Sequence, residues 1–328
     1  MIWNGARWRK VADPVPKGWS GGRLDGVSCT SAVYCVAVGS YVKGASATFP
    51  VAEAWNGTAW TARRLPGLPG GTIFATGVSC AATRHCVVAM ASNPKPTSGQ
   101  AFIDTLNGAK WTVHALTPPK GSVEADFSAV SCVSVIHCVM AGVSYGRTAE
   151  TALVATWNGK AVATMKTAAA FPVDFSGVSC ASAKSCVAVG TWFTGAADLG
   201  YYGVWNGRVW KGARVLPQPS SMVVSSPLAV SCPAPGECVA VGYFRVPVKG
   251  QYPNQPLAEF YNGKSWKRLS VPVPAGAEDT DLNAVSCLSP AWCVAVGEAL
   301  SGIGPSTFSS AAVTAFWNGR SWKLVSAS

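Results

Sequence analysis

The chain has 328 residues, of which 49% are hydrophobic and only 12% are charged, and 26 Lys and Arg against 15 Asp and Glu give it a net charge of +11. This apolar content, together with 34 glycines and 22 prolines, argues against intrinsic disorder and against a coiled coil. Because no apolar run reaches the roughly 18–20 residues that a transmembrane helix needs, the sequence predicts a globular protein without a membrane-spanning segment.

Six copies of a cysteine motif divide the chain into repeats. In the first copy, Val27-Ser28-Cys29 is followed by a segment from Cys35 to Gly39 that reads Cys-Val-Ala-Val-Gly. The first cysteines of successive copies are 48 to 55 residues apart. Every copy keeps five residues between its two cysteines, and the pairs are Cys29/Cys35, Cys80/Cys86, Cys132/Cys138, Cys180/Cys186, Cys232/Cys238 and Cys287/Cys293.

A second motif, an apolar residue followed by Asn-Gly, lies between the cysteine pairs. Its copies are Trp55-Asn56-Gly57, Leu106-Asn107-Gly108, Trp157-Asn158-Gly159, Trp205-Asn206-Gly207, Tyr261-Asn262-Gly263 and Trp317-Asn318-Gly319, with a further copy at Trp3-Asn4-Gly5. Asn-Gly predicts a hairpin with a type I′ turn, in which both central residues have positive φ. Each repeat is therefore predicted to contain four strands, two around the cysteine turn and two around the Asn-Gly turn.

Repeats of about 50 residues with four strands and no helical periodicity are typical of a β-propeller. We predict an all-β protein, a β-propeller of six four-stranded blades with one Cys-x5-Cys disulfide in each. Residues 16–328 form one domain, with blades near 24–66, 75–117, 127–168, 175–216, 227–272 and 282–328. Residues 1–15 are predicted to be an extra or ring-closing hairpin or, alternatively, part of a defective seventh blade.

This layout resembles the Asp-box, or bacterial-neuraminidase-repeat, class of propellers, including those related to the photosystem II assembly propeller. Cys-Val-Ala-Val-Gly stands where that class has a "GWAVG"-like second strand, and Trp-Asn-Gly-x-x-Trp stands where it has a "DGGxTW" hairpin. No repeat has the Ser-x-Asp-x-Gly-x-Thr-Trp box, so the resemblance implies an architecture over residues 16–328 and no active site. The paired cysteines also resemble those in repeats of secreted actinobacterial proteins.

The cysteine spacing predicts the compartment. Each pair lies at the facing ends of adjacent antiparallel strands, where a cross-strand disulfide fits, and six disulfides imply an oxidising compartment. A zinc site is disfavoured because the blades separate the pairs and His85, His114 and His137 do not recur. We expect an extracellular protein without metal or cofactor, whose secretion leader is missing from a sequence that begins Met1-Ile2-Trp3.

The candidate site residues belong to the predicted top face, opposite the cysteine and Asn-Gly turns, because the loops there vary most. Asp126, Asp174 and Asp281 each lie six residues before a first cysteine, and we expect them at the mouth of the central channel as candidate catalytic residues. The predicted ligand-binding residues are Tyr41, Tyr145, Trp192, Asp198, Phe244, Arg23, Arg147, Arg245 and Glu298. Aromatic rings beside carboxylates suit a saccharide; alternatively, these acids cap turns and the rings shield the blades.

Tryptophan and basic residues each allow two interpretations. Eleven of the 14 tryptophans lie in the Asn-Gly hairpins, where they either pack between blades or form saccharide sites there. Lysine and arginine are concentrated on the outermost strands, where they either prevent edge-to-edge pairing or attract anionic polymers.

The sequence thus predicts a secreted, monomeric binding module for carbohydrate or an anionic cell-surface polymer, with no nucleic-acid partner. A hydrolase or lyase acting on glycans and a protein-docking scaffold are the alternatives. The enzyme is disfavoured because no hydrolase, metalloprotease or nucleotide-binding motif is present.

Overall fold

A computed structural model describes residues 2–3, 8–12, 14–15, 17–44, 47–66, 71–94, 100–147, 149–165, 172–195, 197–217, 222–248, 250–302 and 309–325. Every regular element in these ranges is a β-strand, and nothing in them forms a helix long and apolar enough to cross a membrane. The described residues fall into two compact units, one comprising Met1–Asn4 and Arg9–Lys166 and the other Gly5–Trp8 and Thr167–Ser328.

The first unit holds blades 1 to 3, each a four-stranded antiparallel sheet in which consecutive strands are neighbours. Blade 1 consists of β3 (Trp19–Ser31), β4 (Tyr34–Lys43), β5 (Ala47–Trp55) and β6 (Trp60–Arg64). Blade 2 consists of β7 (Gly71–Ala82), β8 (His85–Pro94), β9 (Phe102–Asn107) and β10 (Lys110–Ala115). Blade 3 consists of β11 (Ser122–Ser134), β12 (His137–Gly146), β13 (Glu150–Trp157) and β14 (Val162–Thr164).

The second unit holds blades 4 to 6, and a single parallel pair between Asp198 and Val224 links blades 4 and 5. Blade 4 consists of β15 (Asp174–Ser182), β16 (Ser185–Phe193), β17 (Asp198–Trp205) and β18 (Trp210–Val215). Blade 5 consists of β19 (Val224–Ala234), β20 (Glu237–Arg245), β21 (Asn254–Tyr261) and β22 (Trp266–Arg268). Blade 6 consists of β23 (Asp279–Ser289), β24 (Trp292–Ser301), β25 (Ser309–Trp317) and β26 (Trp322–Val325).

These sheets confirm the prediction of an all-β chain with six four-stranded blades. The first strand of each blade begins one to five residues before the predicted blade boundary. The N-terminal β1 (Ile2–Trp3) and β2 (Trp8–Arg9) form a two-stranded sheet of their own. Asn4 and Gly5 of that hairpin, and the predicted ends of blades 3 and 6 at 168 and 328, lie outside the described residues.

All six predicted disulfides are formed, but in five of them the second cysteine lies deeper than a position at the strand ends suggests. The bonds join Cys29 to Cys35, Cys80 to Cys86, Cys132 to Cys138, Cys180 to Cys186, Cys232 to Cys238 and Cys287 to Cys293. The second cysteine is buried in five blades, with 0–2% of its surface exposed, namely Cys86, Cys138, Cys186, Cys238 and Cys293.

The burial of these cysteines follows from their place on the second strand of each blade, which is paired on both sides. In blades 4 to 6, the residues of the third strand that lie opposite are Trp205 for Cys186, Tyr261 for Cys238 and Trp317 for Cys293. Cys293 also packs in one core cluster with Val239 of blade 5. The second cysteines are therefore structural residues of the sheet interior, and the exposed part of each turn begins beyond them.

The Asn-Gly hairpins form as predicted, but the predicted turn type is wrong. In the described hairpins only the glycine has positive φ, as at Gly57 with 95°. The asparagine instead accepts backbone hydrogen bonds with its side chain, so that Asn56 Oδ1 lies 3.0 Å from Thr58 N and 2.9 Å from Ala59 N. The same pair of bonds recurs at Asn158, Asn206, Asn262 and Asn318. In these five blades the motif is therefore an asparagine-capped turn with one glycine in the left-handed region, whereas Asn107 of blade 2 pairs with Lys110 as part of its strand.

Adjacent blades within a unit are joined by a repeated hydrogen bond. The backbone N–H of a blade's first cysteine donates to the serine that precedes the first cysteine of the blade before it. The donor and acceptor atoms are 2.9–3.0 Å apart in the pairs Cys80–Ser28, Cys132–Ser79, Cys232–Ser179 and Cys287–Ser231. The serine of the Val-Ser-Cys motif thus has a structural role that sequence reasoning missed, although it recurs in all six repeats.

The hydrophobic cores lie between adjacent blades of a unit. Phe127 and Met140 of blade 3, for example, pack in one cluster with Ile103 of blade 2, and all three are fully buried. Several hairpin tryptophans are buried, in agreement with the packing interpretation: Trp55, Trp157, Trp210, Trp266, Trp317 and Trp322. These rings supply apolar surface that a single small sheet cannot bury by itself.

In five blades the glycine that ends the Cys-Val-Ala-Val-Gly strand lies opposite a bulge in the first strand, whereas blade 2 has the same bulge with Met90 at this position. In blade 3 the register shifts between Phe127 and Ala129. This places the carbonyl oxygen of Asp126 only 2.1 Å from the position that a Cβ at Gly142 would occupy. Gly39, Gly190, Gly242 and Gly297 are equally close to the corresponding carbonyl oxygens of their blades.

We therefore expect Gly142→Ala to lower the free energy of unfolding by about 1–3 kcal/mol, because the added carbon must displace backbone. Gly203→Ala is the control, since its Cβ would first meet a ring carbon of Phe175 at 3.2 Å, and that ring can shift. Urea denaturation of the oxidised proteins measures both changes. Equal stability of Gly142→Ala and the unmodified protein would contradict the bulge geometry.

Candidate functional site

Each blade has a bottom edge, formed by the cysteine and Asn-Gly turns, and a top edge at the opposite ends of its strands. The structure brings three predicted residues together at the top edges of blades 5 and 6. Arg245 ends β20, and Asp281 of β23 lies directly opposite Glu298 of β24. Two residues that sequence reasoning missed complete the group, namely Asn254 at the start of β21 and Asp279 at the start of β23. We call these five residues the polar cluster.

Asn254 connects the two blades within the polar cluster. Arg245 Nε donates to Asn254 Oδ1 over 2.5 Å, and the backbone N–H of Asn254 donates to Asp279 Oδ1 over 2.6 Å. The Asn254 side chain also hydrogen-bonds to Asp281. The cluster therefore has a fixed geometry, with the guanidinium on blade 5 and the carboxylates on blade 6.

The polar cluster is acidic, with three carboxylates and one guanidinium. Burial is the main cause that raises the pKa of Asp281 above its ordinary value. The negative charges of Asp279 and Glu298 raise this pKa further, whereas the hydrogen bond from Asn254 and the charge of Arg245 lower it. Asp281 Oδ1 is buried and has no hydrogen-bond partner among the described residues. Both observations favour a carboxyl group that gains a proton more readily than an exposed aspartate does.

Two aromatic side chains stand close to the polar cluster in sequence, and they differ in availability. The guanidinium of Arg268 lies 3.5 Å from the centroid of the Phe244 ring and covers one face of it. Tyr252, in the loop between β20 and β21, is 56% exposed. Tyr252 is therefore the aromatic residue of this loop that is available to stack on a ligand, and Phe244 is a packing partner of Arg268.

Arg268, which covers the Phe244 ring, also lies opposite the buried carboxyl group of Glu259. Glu259 lies opposite Arg268 in the β21–β22 pairing and is fully buried. Neither carboxylate oxygen of Glu259 has a hydrogen-bond partner among the described residues. Burial raises the pKa of Glu259 to about 8, although the positive charge of Arg268 lowers it. Glu259 is therefore mainly protonated at neutral pH.

This buried acid makes stability pH-dependent. Because the pKa of about 8 in the folded protein exceeds the ordinary value of 4.5, the contribution of Glu259 to the free energy of unfolding is highest below pH 4.5. It falls as the pH rises towards 8, by several kcal/mol, since one pKa unit corresponds to about 1.4 kcal/mol. We expect Glu259→Gln to lose much of this decline in thermal or urea denaturation between pH 5 and 9. An unchanged pH profile would contradict the burial of an unpaired carboxyl group.

The remaining predicted residues of the second unit lie at the top edges of blades 4 and 5. Trp192 packs edge-on against Tyr201, with ring centroids 5.5 Å apart. Asp198 forms the parallel pair with Val224 that links the two blades. Asp174 begins β15, opposite Thr191. These residues are half-buried and flank blade 4, whereas the polar cluster lies on blades 5 and 6.

In the first unit, three predicted residues have structural partners. Tyr41 is 1% exposed, and its hydroxyl donates to the buried Glu53. Asp126 Oδ1 accepts the backbone N–H of Ser92 over 2.9 Å, which agrees with the capping alternative. Arg23 forms an exposed ion pair with Asp25.

Tyr145 and Arg147, at the end of β12, are half-buried and exposed, respectively. Of the three candidate catalytic aspartates, Asp126 belongs to the first unit, whereas Asp174 and Asp281 lie on blades 4 and 6 of the second. No three His, Cys, Asp or Glu side chains of the described ranges are grouped so as to hold a metal ion.

Comparison with known proteins supports the fold class. No protein-family model matches the sequence, and no curated protein matches it. The chain is similar to a protein of unknown function from Dyadobacter fermentans DSM 18053, with 11% identity and a TM-score of 0.57 over 92% of this chain and 96% of that one. It is similar to YCF48 from Cyanidioschyzon merolae, with 11% identity and a TM-score of 0.55 over 98% and 88% of the chains.

A third similar structure is YCF48 bound to D1 peptide, with 14% identity and a TM-score of 0.52 over 96% of this chain and 86% of that one. At such low identities the likeness concerns the fold, and function has to be argued from the site. Together with the six four-stranded blades, it establishes the fold class as a β-propeller.

Proposed function

We propose that the protein is a carbohydrate-binding module that recognises a neutral saccharide of a cell-surface polymer through the polar cluster. One observation carries the proposal: Arg245, Asn254 and three carboxylates are held together at the top edges of two blades, in the same loop region as the exposed ring of Tyr252. Carboxylates accept hydrogen bonds from sugar hydroxyls, the guanidinium donates to ring and hydroxyl oxygens, and a tyrosine ring packs on the C–H face of a sugar.

The charge of the polar cluster selects among the ligands expected from the sequence. Three carboxylates against one guanidinium repel an anionic polymer at this position. A neutral sugar with several hydroxyl groups suits the cluster better. We keep the anionic polymer as a ligand for other surfaces of this positively charged chain.

The six disulfides support an extracellular location, because such bonds persist in oxidising compartments. We accordingly propose a secreted protein that binds its ligand as a monomer, since all five cluster residues belong to one chain. The positions of the Cys-Val-Ala-Val-Gly strands and of the Asn-Gly hairpins within the blades support a resemblance to the Asp-box class in blade layout, which we keep as part of the proposal.

The test is a glycan array probed with the oxidised protein at physiological and at high salt, with the variants Arg245→Gln and Asp281→Asn. We expect binding to a neutral glycan that persists at high salt and that each variant weakens roughly tenfold, the effect of about 1.4 kcal/mol. Asp126→Asn is the matched control, because it changes the equivalent position of blade 3, which accepts the N–H of Ser92 outside the polar cluster.

Denaturation curves of all variants establish that they are folded. Binding that salt abolishes, or that Asp126→Asn reduces as much as Asp281→Asn does, would contradict the proposed site. Cleavage of the bound glycan would support the glycosidase alternative, in which an acid of raised pKa acts beside a second carboxylate.

A further inference from the structure

Two pockets at the bottom edge of the first unit are built from equivalent positions of the repeat. The first, of about 530 Å³, lies between blades 1 and 2, and the second, of about 370 Å³, lies between blades 2 and 3. Each is bounded by the outer strands of one blade and by the cysteine turn and the Asn-Gly hairpin of the next. Both volumes fall in the range of roughly 300–1,000 Å³ that is typical of ligand pockets.

The pocket between blades 1 and 2 has aromatic walls that its surroundings hold in place. Trp55 and Trp111 line it from the two hairpins, and Tyr34 lines it from the cysteine turn of blade 1. The indole N–H of Trp55 donates to the carbonyl oxygen of Ala32 over 3.1 Å. The Tyr34 hydroxyl is hydrogen-bonded to the backbone of Arg84, across the boundary between the blades.

The charge of this pocket is positive. Arg63, on β6, and Arg84, in the cysteine turn of blade 2, are the charged residues among those that line it, and the lining includes no carboxylate. Arg84 has a φ of 61°, and among the described residues it is the non-glycine with positive φ. Such a backbone conformation costs of order 1–3 kcal/mol and tends to occur where a side chain must be held for function.

The second pocket has the same construction without the positive charge. His114 occupies the position of Arg63, since each lies three residues after the second aromatic residue of its hairpin. Ile136 occupies the position of Arg84, since each lies four residues after the first cysteine of its blade. His114 packs against Trp157, with ring centroids 4.4 Å apart, and its Nε2 lies 3.0 Å from the Thr105 hydroxyl. Burial lowers the pKa of His114. The first pocket therefore carries two arginines, whereas no arginine or lysine lines the second.

We infer that the pocket between blades 1 and 2 binds a carboxylate-bearing sugar residue of an acidic polysaccharide. The half-buried ring of Trp111 takes a C–H face of the sugar. Arg63 and Arg84 take its carboxylate, for which the guanidinium geometry is suited. This site is separate from the polar cluster, because its residues belong to the other unit and its charge has the opposite sign. The inference therefore stands or falls independently of the proposed function.

The test is isothermal titration of the oxidised full chain with tetragalacturonate and with its methyl ester, which has the same rings without the charge. We expect one tetragalacturonate per chain, and roughly tenfold weaker binding of the ester, as for the loss of one charge-assisted hydrogen bond. Arg63→Gln and Arg84→Gln are expected to weaken binding of the acid by a similar factor and to leave binding of the ester unchanged. Arg208→Gln is the matched control, because it removes the same charge from an exposed Asn-Gly hairpin of blade 4.

Three results would overturn the inference. Equal affinity for acid and ester would exclude recognition of the carboxylate. An equal loss of affinity in Arg208→Gln would indicate non-specific attraction to a basic surface. No heat of binding for tetragalacturonate at millimolar concentration would exclude the site. Asp281→Asn is expected to leave this titration unchanged, so that its outcome and that of the neutral-glycan array remain distinguishable.

Discussion

The hydrogen bond from a cysteine N–H to the serine of the preceding blade is the contact on which the repeat architecture depends within each unit. A small four-stranded sheet cannot bury both of its faces alone, so each blade requires a neighbour in a fixed position. The bond between Cys80 and Ser28 fixes that position at the first strand, directly beside the disulfide. One such bond contributes about 0.5–1.5 kcal/mol, and it satisfies a backbone N–H that is partly withdrawn from water. The apolar clusters between blades then close around this fixed point.

A rigid bottom edge leaves other positions free to vary. The disulfides recur at the same positions in all six blades, and the asparagine-capped turns recur in five of them, so substitutions there disturb the fold of the blade. The polar cluster arises where blades 5 and 6 depart from the repeat, through Asn254 and Asp279. The cationic pocket arises in a similar way, because Arg63 and Arg84 occupy positions that hold other residues between blades 2 and 3. Chemistry thus differs between copies of one scaffold, as expected for folds on which functional sites are grafted.

Much of the blade architecture could be predicted because its features repeat along the chain. The paired cysteines and the Asn-Gly hairpins occur in every blade, at intervals of about 50 residues. The turn type was wrong because hairpin statistics describe backbone conformation, whereas the Asn56 side chain replaces a backbone acceptor. Tyr41 was predicted to face a ligand, but its ring is buried and its hydroxyl donates to Glu53. The sequence pattern does not reveal this partner, which lies on the next strand of the blade. Asn254 and Asp279 were missed because their contact crosses between blades and occurs in one repeat, although the acid-x-acid spacing of Asp279 and Asp281 could have placed both on one face of a strand.

Amide hydrogen exchange at the first cysteines tests the coupling of blades most directly. If the Ser79 hydroxyl holds the Cys132 N–H, this amide exchanges slowly in the oxidised protein and much faster in Ser79→Ala. The amide of Cys287, which donates to Ser231 in the other unit, then serves as the internal reference and keeps its rate. Fast exchange at Cys132 in the unmodified protein, or an unchanged rate in Ser79→Ala, would show that the blades are held together by other means.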